Sequence, residues 1–243
     1  ILGLQEVTDS AWNTLKHKLS GIGLIYNAYS RDLFPSSRKL KAVAVFSRWP
    51  FTVLNTYLTV PYPELALSVK VATPSGDMQF HCVHIPNGSS HKWEKIETFE
   101  GIYSKLARFS DVPRILCGDF NIPQAENHRH NVITFAQKMK LKGKPRLKKS
   151  FRGGSGKRWD QAERNLFENL KPVGMQDSYR KKHSYKTYEY SFAISGKGKV
   201  VAKRRFDHFF TSDDILIKEI GYLHTYRETK LSDHSPIQID CVD

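Results

Sequence analysis

The sequence predicts a single layered α/β domain, and three features favour this fold class. The chain has 243 residues, 40% of them hydrophobic, so it can form a substantial core. Apolar runs of strand length alternate with segments of helical periodicity, which is typical of layered α/β proteins. Two of the runs are joined by a tight turn, so we expect one or two mixed sheets within a single domain over residues 1–243.

The first part of the chain contains many of the predicted strands. Residues 1–7 resemble a strand, and Thr8 or Asp9 can cap the following helix, which ends at Gly21. The turn "PSGD" is expected to join two later runs into a hairpin. The predicted strands after this helix are residues 22–29, 42–47, 51–60, 65–73 and 78–85, and the last two are the runs that form the hairpin.

The remainder of the chain begins with the clearest predicted helix, residues 89–110. Its apolar residues recur at three- and four-residue steps, namely Trp93, Ile96, Phe99, Ile102, Tyr103 and Leu106. The apolar run "RILC" then predicts a strand that follows a helix, as in a crossover unit. Further along, the sequence predicts a short helix over residues 160–170 and strands within residues 185–194, 205–212, 217–223 and 235–242.

The charge distribution indicates a polyanionic partner. The net charge is +14, and the segment 138–158 holds ten Lys or Arg residues and no acidic residue. Because its glycines and Pro145 leave it unable to bury a face, we expect a basic mobile surface loop. A bias of this size favours a nucleic acid or another phosphate-rich ligand, with general solubility as the alternative.

The cysteine content and hydropathy bear on the compartment. Cys82, Cys117 and Cys241 show no CxxC spacing, which favours a reducing compartment over a disulfide framework or a zinc site. No window approaches the ~20 apolar residues of a membrane span, and no leader is visible at Ile1. We therefore expect a monomer with no membrane partner, located in the cytoplasm, nucleoid or nucleus.

The stretch "RILCGDFNIPQ" ends an apolar run with Asp119 and Asn121, two positions apart. If the strand stays extended, these side chains lie on the same side and their oxygens converge at the rim of the sheet. The alternative is ordinary turn chemistry, since Asp and Asn are common turn residues. The motif alone does not decide between the two.

Four further apolar borders carry polar residues of the same kind. In sequence order they are Glu6 in "LQE", His84 and Asn87 in "HIPN", Asp207 in "FDH", and Asp233 and His234 in "SDH". Each is weak by itself, because a solvated strand end or a turn explains it equally well. Together with "GDFN" they supply hard oxygen ligands, a carboxylate to orient water and imidazoles for a phosphate, which indicates metal-assisted phosphoester cleavage.

The five motifs, in this order from residue 2 to about residue 240, resemble the endonuclease/exonuclease/phosphatase superfamily, which includes exonuclease III, apurinic endonucleases and pancreatic-type deoxyribonuclease. The resemblance implies a four-layered α/β sandwich, with two mixed β-sheets flanked by helices and the site at one edge. It also implies a divalent metal, Mg²⁺ or Mn²⁺, held by Glu6 with Asp233 as a second or outer ligand.

The same resemblance assigns the catalytic roles by position. Asp119 would orient and deprotonate the attacking water, and Asn121 would hold that water or a phosphate oxygen. Asp207 would pair with His234 so that the imidazole can donate to the phosphate as charge builds there. His84 and Asn87 stand where the family has substrate-facing residues, and His84 could protonate the leaving oxygen.

Two departures from the family pattern concern activity. The exonuclease III and apurinic branch usually has Tyr where this chain has His84, which puts abasic-site activity in doubt. The family's metal site also includes an Asn on a strand before "LQE", whereas this sequence begins at Ile1. We expect an N-terminal strand upstream of residue 1, since its loss would leave backbone groups unpaired.

The superfamily also cleaves phosphoinositides, sphingomyelin and RNA tails, so the charge must indicate the substrate. Basic and aromatic residues near the predicted rim favour DNA, or RNA, held by phosphate neutralisation and stacking. The predicted substrate-binding residues are Asn87, Arg180, Lys181, Arg204, Arg205 and Phe206. Two alternatives stay open: a phosphatase or phosphodiesterase for a small or lipid phosphate, and an inactive nucleic-acid-binding module.

Overall fold

The computed structural model describes residues 1–37, 39–127, 129, 131–139 and 144–242. The helices are α1 (Asp9–Ser20), α2 (Ser30–Leu33), α3 (Gly88–His91), α4 (Trp93–Leu106), α5 (Gly156–Phe167), α6 (Ser178–Lys182) and α7 (His224–Glu228). The first seven strands are β1 (Leu2–Val7), β2 (Tyr26–Tyr29), β3 (Ala42–Ser47), β4 (Phe51–Val53), β5 (Ala66–Thr73), β6 (Gly76–His84) and β7 (Arg114–Asp119).

The strands that follow are β8 (Ala125–Asn127), β9 (Asn131–Ile133), β10 (Gln137–Lys138), β11 (Arg146–Leu147), β12 (Ser150–Phe151), β13 (Gly154–Ser155), β14 (Met175–Asp177), β15 (Phe192–Gly196), β16 (Lys199–Arg204), β17 (Asp207–Ser212), β18 (Ile217–Tyr222) and β19 (Ile237–Cys241). Strand formation in 51–60 is confined to β4, and in 185–194 it begins at Phe192. No helix among the described residues combines the length and apolarity needed to cross a bilayer.

A six-stranded sheet forms the centre of the fold, with the order β14-β17-β7-β6-β5-β4. The pair β6–β7 is parallel and the other pairs are antiparallel, so the sheet is mixed, as expected. The expected hairpin is present, because β5 and β6 pair in register from Ala66–Val83 to Thr73–Gly76. The crossover between the parallel strands β6 and β7 contains α4, as "RILC" after a helix predicts.

A second sheet layer packs against one face of this sheet. It contains the antiparallel sheet β1-β3-β2 and the ribbon β18–β19. Val43 and Val45 of β3 are buried against Val69 of β5 and Phe80 of β6. The two layers therefore share one apolar core, as expected for stacked sheets.

Helices cover both outer faces. Trp12 and Leu15 of α1 pack on Phe46 of β3, and the side chain of Thr8 caps this helix by accepting a hydrogen bond from the Ala11 amide. On the other side, α4 and α5 pack on the six-stranded sheet through a buried cluster that includes Phe99. The order helix, sheet, sheet, helix confirms the predicted four-layered α/β sandwich.

Two predicted elements differ from the structure. The helix expected over 89–110 is split into α3 and α4, because Lys92 has φ 43° and ψ −109°. In the predicted mobile surface loop 138–158, the described residues 144–158 contain β11 to β13 and the start of α5, so the expectation that this segment cannot bury a face is wrong there. Phe151 and Trp159 pack edge-to-face and supply the apolar contact that the basic composition concealed. Residues 140–143 of that loop lie outside the described part.

Candidate active site

The site forms where three neighbouring strands of the central sheet meet. The register places His84 of β6 beside Asp119 of β7, and Asp119 beside Asp207 of β17. Gly118 permits this arrangement, since its φ is 137° and a Cβ there would lie 1.9 Å from the carbonyl oxygen of Val83. Residues distant in sequence are thus adjacent at one edge of the sheet.

Asp119 and Asn121 are brought together by a turn, and the expectation that the strand stays extended through both is wrong. Asn121 has φ 53°, in the left-handed region, where Asn is tolerated better than most residues. Its amide donates to Asp119 Oδ1 (2.8 Å) and its side-chain Nδ2 donates to Asp119 Oδ2 (3.1 Å). The turn at Asn121 is therefore what brings the side chains of Asp119 and Asn121 together.

Asp207 and His234 form the pair that the sequence motifs indicate. Asp207 Oδ2 lies 2.7 Å from His234 Nδ1. The segments that carry them are tied together by Ser191, whose Oγ accepts a hydrogen bond from the amide of Asp207 (3.1 Å) and whose carbonyl oxygen accepts one from the amide of Ser235 (2.8 Å). Candidate ligand atoms of Asp119, Asp207 and His234 all lie within 4.8 Å of one another.

Burial and neighbouring charges set the protonation of this group. Burial, followed by the charge of Asp207, raises the pKa of Asp119 to about 7. Burial lowers the pKa of His234, but the hydrogen bond and the charge of Asp207 outweigh this effect and raise that pKa to about 9. Burial lowers the pKa of His84, whose Nε2 lies 3.6 Å from Asp119 Oδ2. The arrangement therefore pairs a carboxyl group that titrates near neutrality with a protonated imidazole.

Glu6, Asn87 and Asp233 line the same cleft, which has a volume of about 860 Å³. Glu6 has φ 59° at an irregularity in the β1–β3 pairing, and its carboxylate forms an ion pair with Lys41. Asn87 caps α3 by accepting a hydrogen bond from the Ser89 amide. These three residues thus belong to the rim of the cleft rather than to the compact group of Asp119, Asp207 and His234.

The donor set of the cleft fits a hard divalent cation. Glu6, Asp119 and Asp233 present carboxylate groups to the cleft, and carboxylate oxygens are the ligands that Mg²⁺ and Mn²⁺ prefer. The Lys41 ammonium already places a positive charge against Glu6. This carboxylate is therefore positioned to balance a cation.

Three of the predicted substrate-binding residues pair with carboxylates outside the cleft lining, which corrects the assignment of Arg180 and Arg205; the assignment of Lys181, whose side chain is 33% exposed, stays a prediction. Arg180 and Arg205 form ion pairs with Glu126, and Arg205 also pairs with Asp177. The Arg205 side chain is 1% exposed, so it compensates buried carboxylates and cannot contact a substrate. Lys181 pairs with Asp213, 3.1 Å away, outside the cleft lining.

Of the other three predicted substrate-binding residues, Asn87 lines the cleft as described above, and the remaining two lie at the cleft or beside it. Phe206 lines the cleft and stacks on Phe192, with ring centres 5.6 Å apart. Arg204 is outside the lining residues: its guanidinium lies 4.9 Å from the ring centre of Phe135 and donates to the carbonyl oxygen of Gln124. Phe206 is thus better placed than Arg204 to contact a substrate in the cleft.

The structure adds Lys95, which the sequence analysis missed. Its buried Nζ donates to the carbonyl oxygen of Asn121 (2.8 Å) and lies 3.8 Å from Glu163 Oε1. Burial lowers its pKa to about 8. A signal was available, because Lys95 shares the three- and four-residue spacing of Phe99 and the later apolar positions of α4. Further cleft residues that the sequence analysis did not assign are Lys39, His91, Phe135, Arg152, Trp159 and Ile194.

Comparisons with known proteins agree with this geometry. A model of the "Endonuclease/Exonuclease/phosphatase family" matches residues 1–234. No curated protein sequence matches the chain.

Three solved structures share its fold at low sequence identity. An AP endonuclease from Archaeoglobus fulgidus is 15% identical with a TM-score of 0.68, and the match covers 100% of this chain and 88% of that one. The 3′ phosphatase NExo from Neisseria, bound to a product DNA hairpin, is 17% identical with a TM-score of 0.63 and the same coverage. D. rerio TDP2 complexed with a single-strand DNA product is 13% identical with a TM-score of 0.64, over 99% of this chain and 85% of that one.

Proposed function

Because this chain belongs to the Endonuclease/Exonuclease/phosphatase family and is an enzyme that hydrolyses phosphoesters, we propose that it cleaves phosphodiester bonds of nucleic acid, foremost DNA, with Mg²⁺ or Mn²⁺ as cofactor. The observation that carries the proposal is the grouping of Asp119, Asp207 and His234 within 4.8 Å. Such a group can serve both a water molecule and a phosphate oxygen.

Asp119 is the proposed group that activates water. Its carboxylate is held by two hydrogen bonds from Asn121, so its orientation is fixed before the substrate arrives. A pKa of about 7 lets the carboxylate accept a proton from water near neutral pH, where general-base catalysis is most effective. Asn121 itself holds Asp119, and because its Nδ2 also donates to the carbonyl oxygen of Ile85 (3.0 Å), its side-chain Oδ1 is the atom left to accept a hydrogen bond from the same water.

His234 is the proposed donor to the phosphate. Asp207 fixes its Nδ1 at 2.7 Å, which leaves Nε2 to face the cleft and to donate to the developing negative charge. His84 is the weaker candidate for protonating the leaving oxygen, because burial lowers its pKa. A neutral His84 can still orient the phosphate by donating a hydrogen bond.

Glu6 and Asp233 are the proposed holders of the divalent cation. Both carboxylates line the cleft beside the catalytic group, and Lys41 would release Glu6 when the cation binds. A bound divalent cation polarises the phosphate and offsets its charge.

Three observations support nucleic acid as the substrate. The net charge of +14 favours a polyanion. Phe135, Phe192 and Phe206 line the cleft and offer aromatic surface to bases or sugars. Two of the solved relatives carry DNA products, which is compatible with the same substrate class here.

The proposal is tested by incubating the enzyme with labelled plasmid, abasic duplex, single-stranded DNA and RNA, each with Mg²⁺, Mn²⁺ or a chelator. We expect metal-dependent cleavage of at least one DNA substrate and loss of cleavage in Asp119→Asn. Hydrolysis confined to inositol phosphates or sphingomyelin, measured in parallel as phosphate or phosphocholine release, would instead indicate a small or lipid phosphate as substrate.

A further inference from the structure

One flank of the cleft is basic and takes no part in the proposed chemistry. It consists of Lys39, His91 and Arg152, which we call the basic flank, and all three residues line the cleft. Lys39 Nζ lies 2.9 Å from His91 Nε2 and 4.0 Å from the ring centre of Tyr62. His91 Nδ1 lies 3.3 Å from the carbonyl oxygen of Asn87, so a proton on Nδ1 leaves Nε2 to accept from Lys39.

Arg152 is held towards the cleft by a tight turn. Arg152 and Gly153 have φ values of 52° and 84° between the paired strands β12 and β13, which are the left-handed values of a hairpin turn. The guanidinium packs 5.1 Å from the ring centre of Phe151 and 5.5 Å from that of Trp159. The guanidinium lies close to the backbone at Gly88, and this is possible because glycine has no side chain: a Cβ there would lie 3.0 Å from Arg152 Nη1.

The described residues offset the charge of the basic flank only in part, since burial lowers the pKa of Arg152 and the charge of Glu163 does not fully restore it. Arg152 Nη1 is buried without a hydrogen-bond partner among them, and no described carboxylate lies within 4.0 Å of Lys39 or Arg152. Glu163 is near, but its two oxygens accept hydrogen bonds from Trp159 Nε1 (2.7 Å) and the Phe135 amide (2.8 Å). A buried guanidinium donor without a partner is costly, so an anionic ligand would satisfy it.

We propose that the basic flank binds a second phosphate of the substrate, separate from the phosphate that is hydrolysed. This inference rests on the proposed function and narrows it: the enzyme would select oligonucleotides over substrates that carry a single phosphate. A guanidinium and an ammonium in one cleft suit the oxygens of a phosphodiester or of a terminal phosphate. Because the group of Asp119, Asp207 and His234 serves the scissile phosphate, the two phosphates occupy different parts of one cleft.

The test is a phosphate scan along a short oligodeoxynucleotide that the enzyme cleaves. Each phosphate near the cleavage site is replaced in turn by a neutral methylphosphonate, and a separate arm removes the terminal phosphate. For the unmodified enzyme we expect KM to rise roughly tenfold at one position, as for the loss of a charge-assisted hydrogen bond. Removal of the terminal phosphate shows whether the second phosphate lies at the end of the oligonucleotide or within it, and either location supports the proposal.

Variants of the basic flank test whether these residues bind the phosphate that the scan identifies. Arg152→Ala should raise KM for the unmodified oligonucleotide by a similar factor and abolish the additional penalty at that position. It should lower kcat/KM for the oligonucleotide at least tenfold more than for bis(p-nitrophenyl) phosphate, which has one phosphate. Lys39→Gln, which leaves the turn at Arg152 intact, should reduce the same positional penalty. Arg158→Ala is the matched control, because Arg158 pairs with Glu100 outside the cleft lining.

The outcomes separate this inference from the proposed function. If the enzyme cleaves oligonucleotides with no positional penalty, or if Arg152→Ala affects both substrates equally, the second phosphate site is overturned and the nuclease function stands. If the enzyme hydrolyses bis(p-nitrophenyl) phosphate but no oligonucleotide, both are overturned.

Discussion

Asp207 and His234 lie 27 residues apart in the chain, yet their side chains are joined by a 2.7 Å contact between Oδ2 and Nδ1. Asp207 begins β17, and His234 is bridged to Phe192 just before β19. Since Asp207 both orients the imidazole and keeps it protonated, the two residues should act as one unit.

The first prediction concerns this unit. Asp207→Asn and His234→Gln should each lower kcat on an oligonucleotide by at least about a hundredfold, in the range for a lost acid–base group. The double variant should be barely worse than either single variant, because each change already disables the pair. Fully additive losses in kcat would show that the two residues act independently.

The second prediction concerns Asp119. Asp119→Asn should lower kcat at least about a thousandfold while DNA affinity stays within a few fold, since the amide preserves the shape and one of the two hydrogen bonds from Asn121 but cannot accept a proton. Single-turnover cleavage and fluorescence anisotropy measure the two quantities. Asp111→Asn, at an exposed position before β7, is the control. Unchanged turnover in Asp119→Asn would refute the assigned role.

The catalytic group could be predicted from the sequence because polar residues at the borders of apolar runs mark the ends of strands. An apolar run that stops at Asp119 or begins after Asp207 places the polar residue at a sheet border, and the β7–β17 register then makes the two carboxylates neighbours. The conformation at Asn121 was not predictable from alternation, since the strand ends at Asp119, two positions earlier than the pattern suggests, and Asn121 is left-handed.

The basic residues could not be assigned from composition. Arg204 and Arg205 are adjacent in sequence, yet Arg204 donates to a backbone carbonyl beside the cleft, whereas Arg205 neutralises Glu126 and the buried Asp177. Only the fold determines which cations face buried acids. For the same reason Arg152 was hidden within a segment that resembled a loop, although the turn between β12 and β13 directs it into the cleft.

The third prediction tests the structural role of Arg205. Arg205→Ala should lower the free energy of unfolding by about 3–5 kcal/mol, because it leaves Glu126 and Asp177 buried beside an empty position. Lys181→Ala, which removes the more exposed ion pair with Asp213, should cost less than about 1 kcal/mol. Urea denaturation measures both changes. A small effect of Arg205→Ala on stability combined with a large loss of DNA affinity would return Arg205 to the substrate-binding residues.

The fourth prediction is a pH dependence of stability at Glu126. Burial opposes ionisation, but Arg205 and Arg180 outweigh it and lower the pKa of Glu126 from 4.5 to about 2. The unfolded chain therefore binds this proton at higher pH, so the stabilisation is fully present above about pH 4.5 and is lost as the pH falls to about 2. A shift of this size corresponds to roughly 3 kcal/mol.

Unfolding free energies measured by urea between pH 2 and 6 should therefore fall steeply towards acid in the unmodified protein. Glu126→Gln should be less stable at neutral pH and should show a flatter decline below pH 4.5. Equal slopes for the two proteins in this window would show that Glu126 does not carry the dependence.

The fifth prediction concerns competition between Lys41 and the divalent cation for Glu6. Glu6→Gln should raise the Mg²⁺ concentration needed for half-maximal activity at least about tenfold, because a neutral amide is a poor ligand for Mg²⁺. Lys41→Gln should lower that concentration, because it removes the ammonium that pairs with Glu6. Asp77→Asn, in the exposed ion pair with Lys70 at the β5–β6 turn, should leave it unchanged. Calorimetric titration with Mn²⁺ gives the same comparison without turnover, and shifts of Glu6→Gln and Lys41→Gln in the same direction would contradict competition at Glu6.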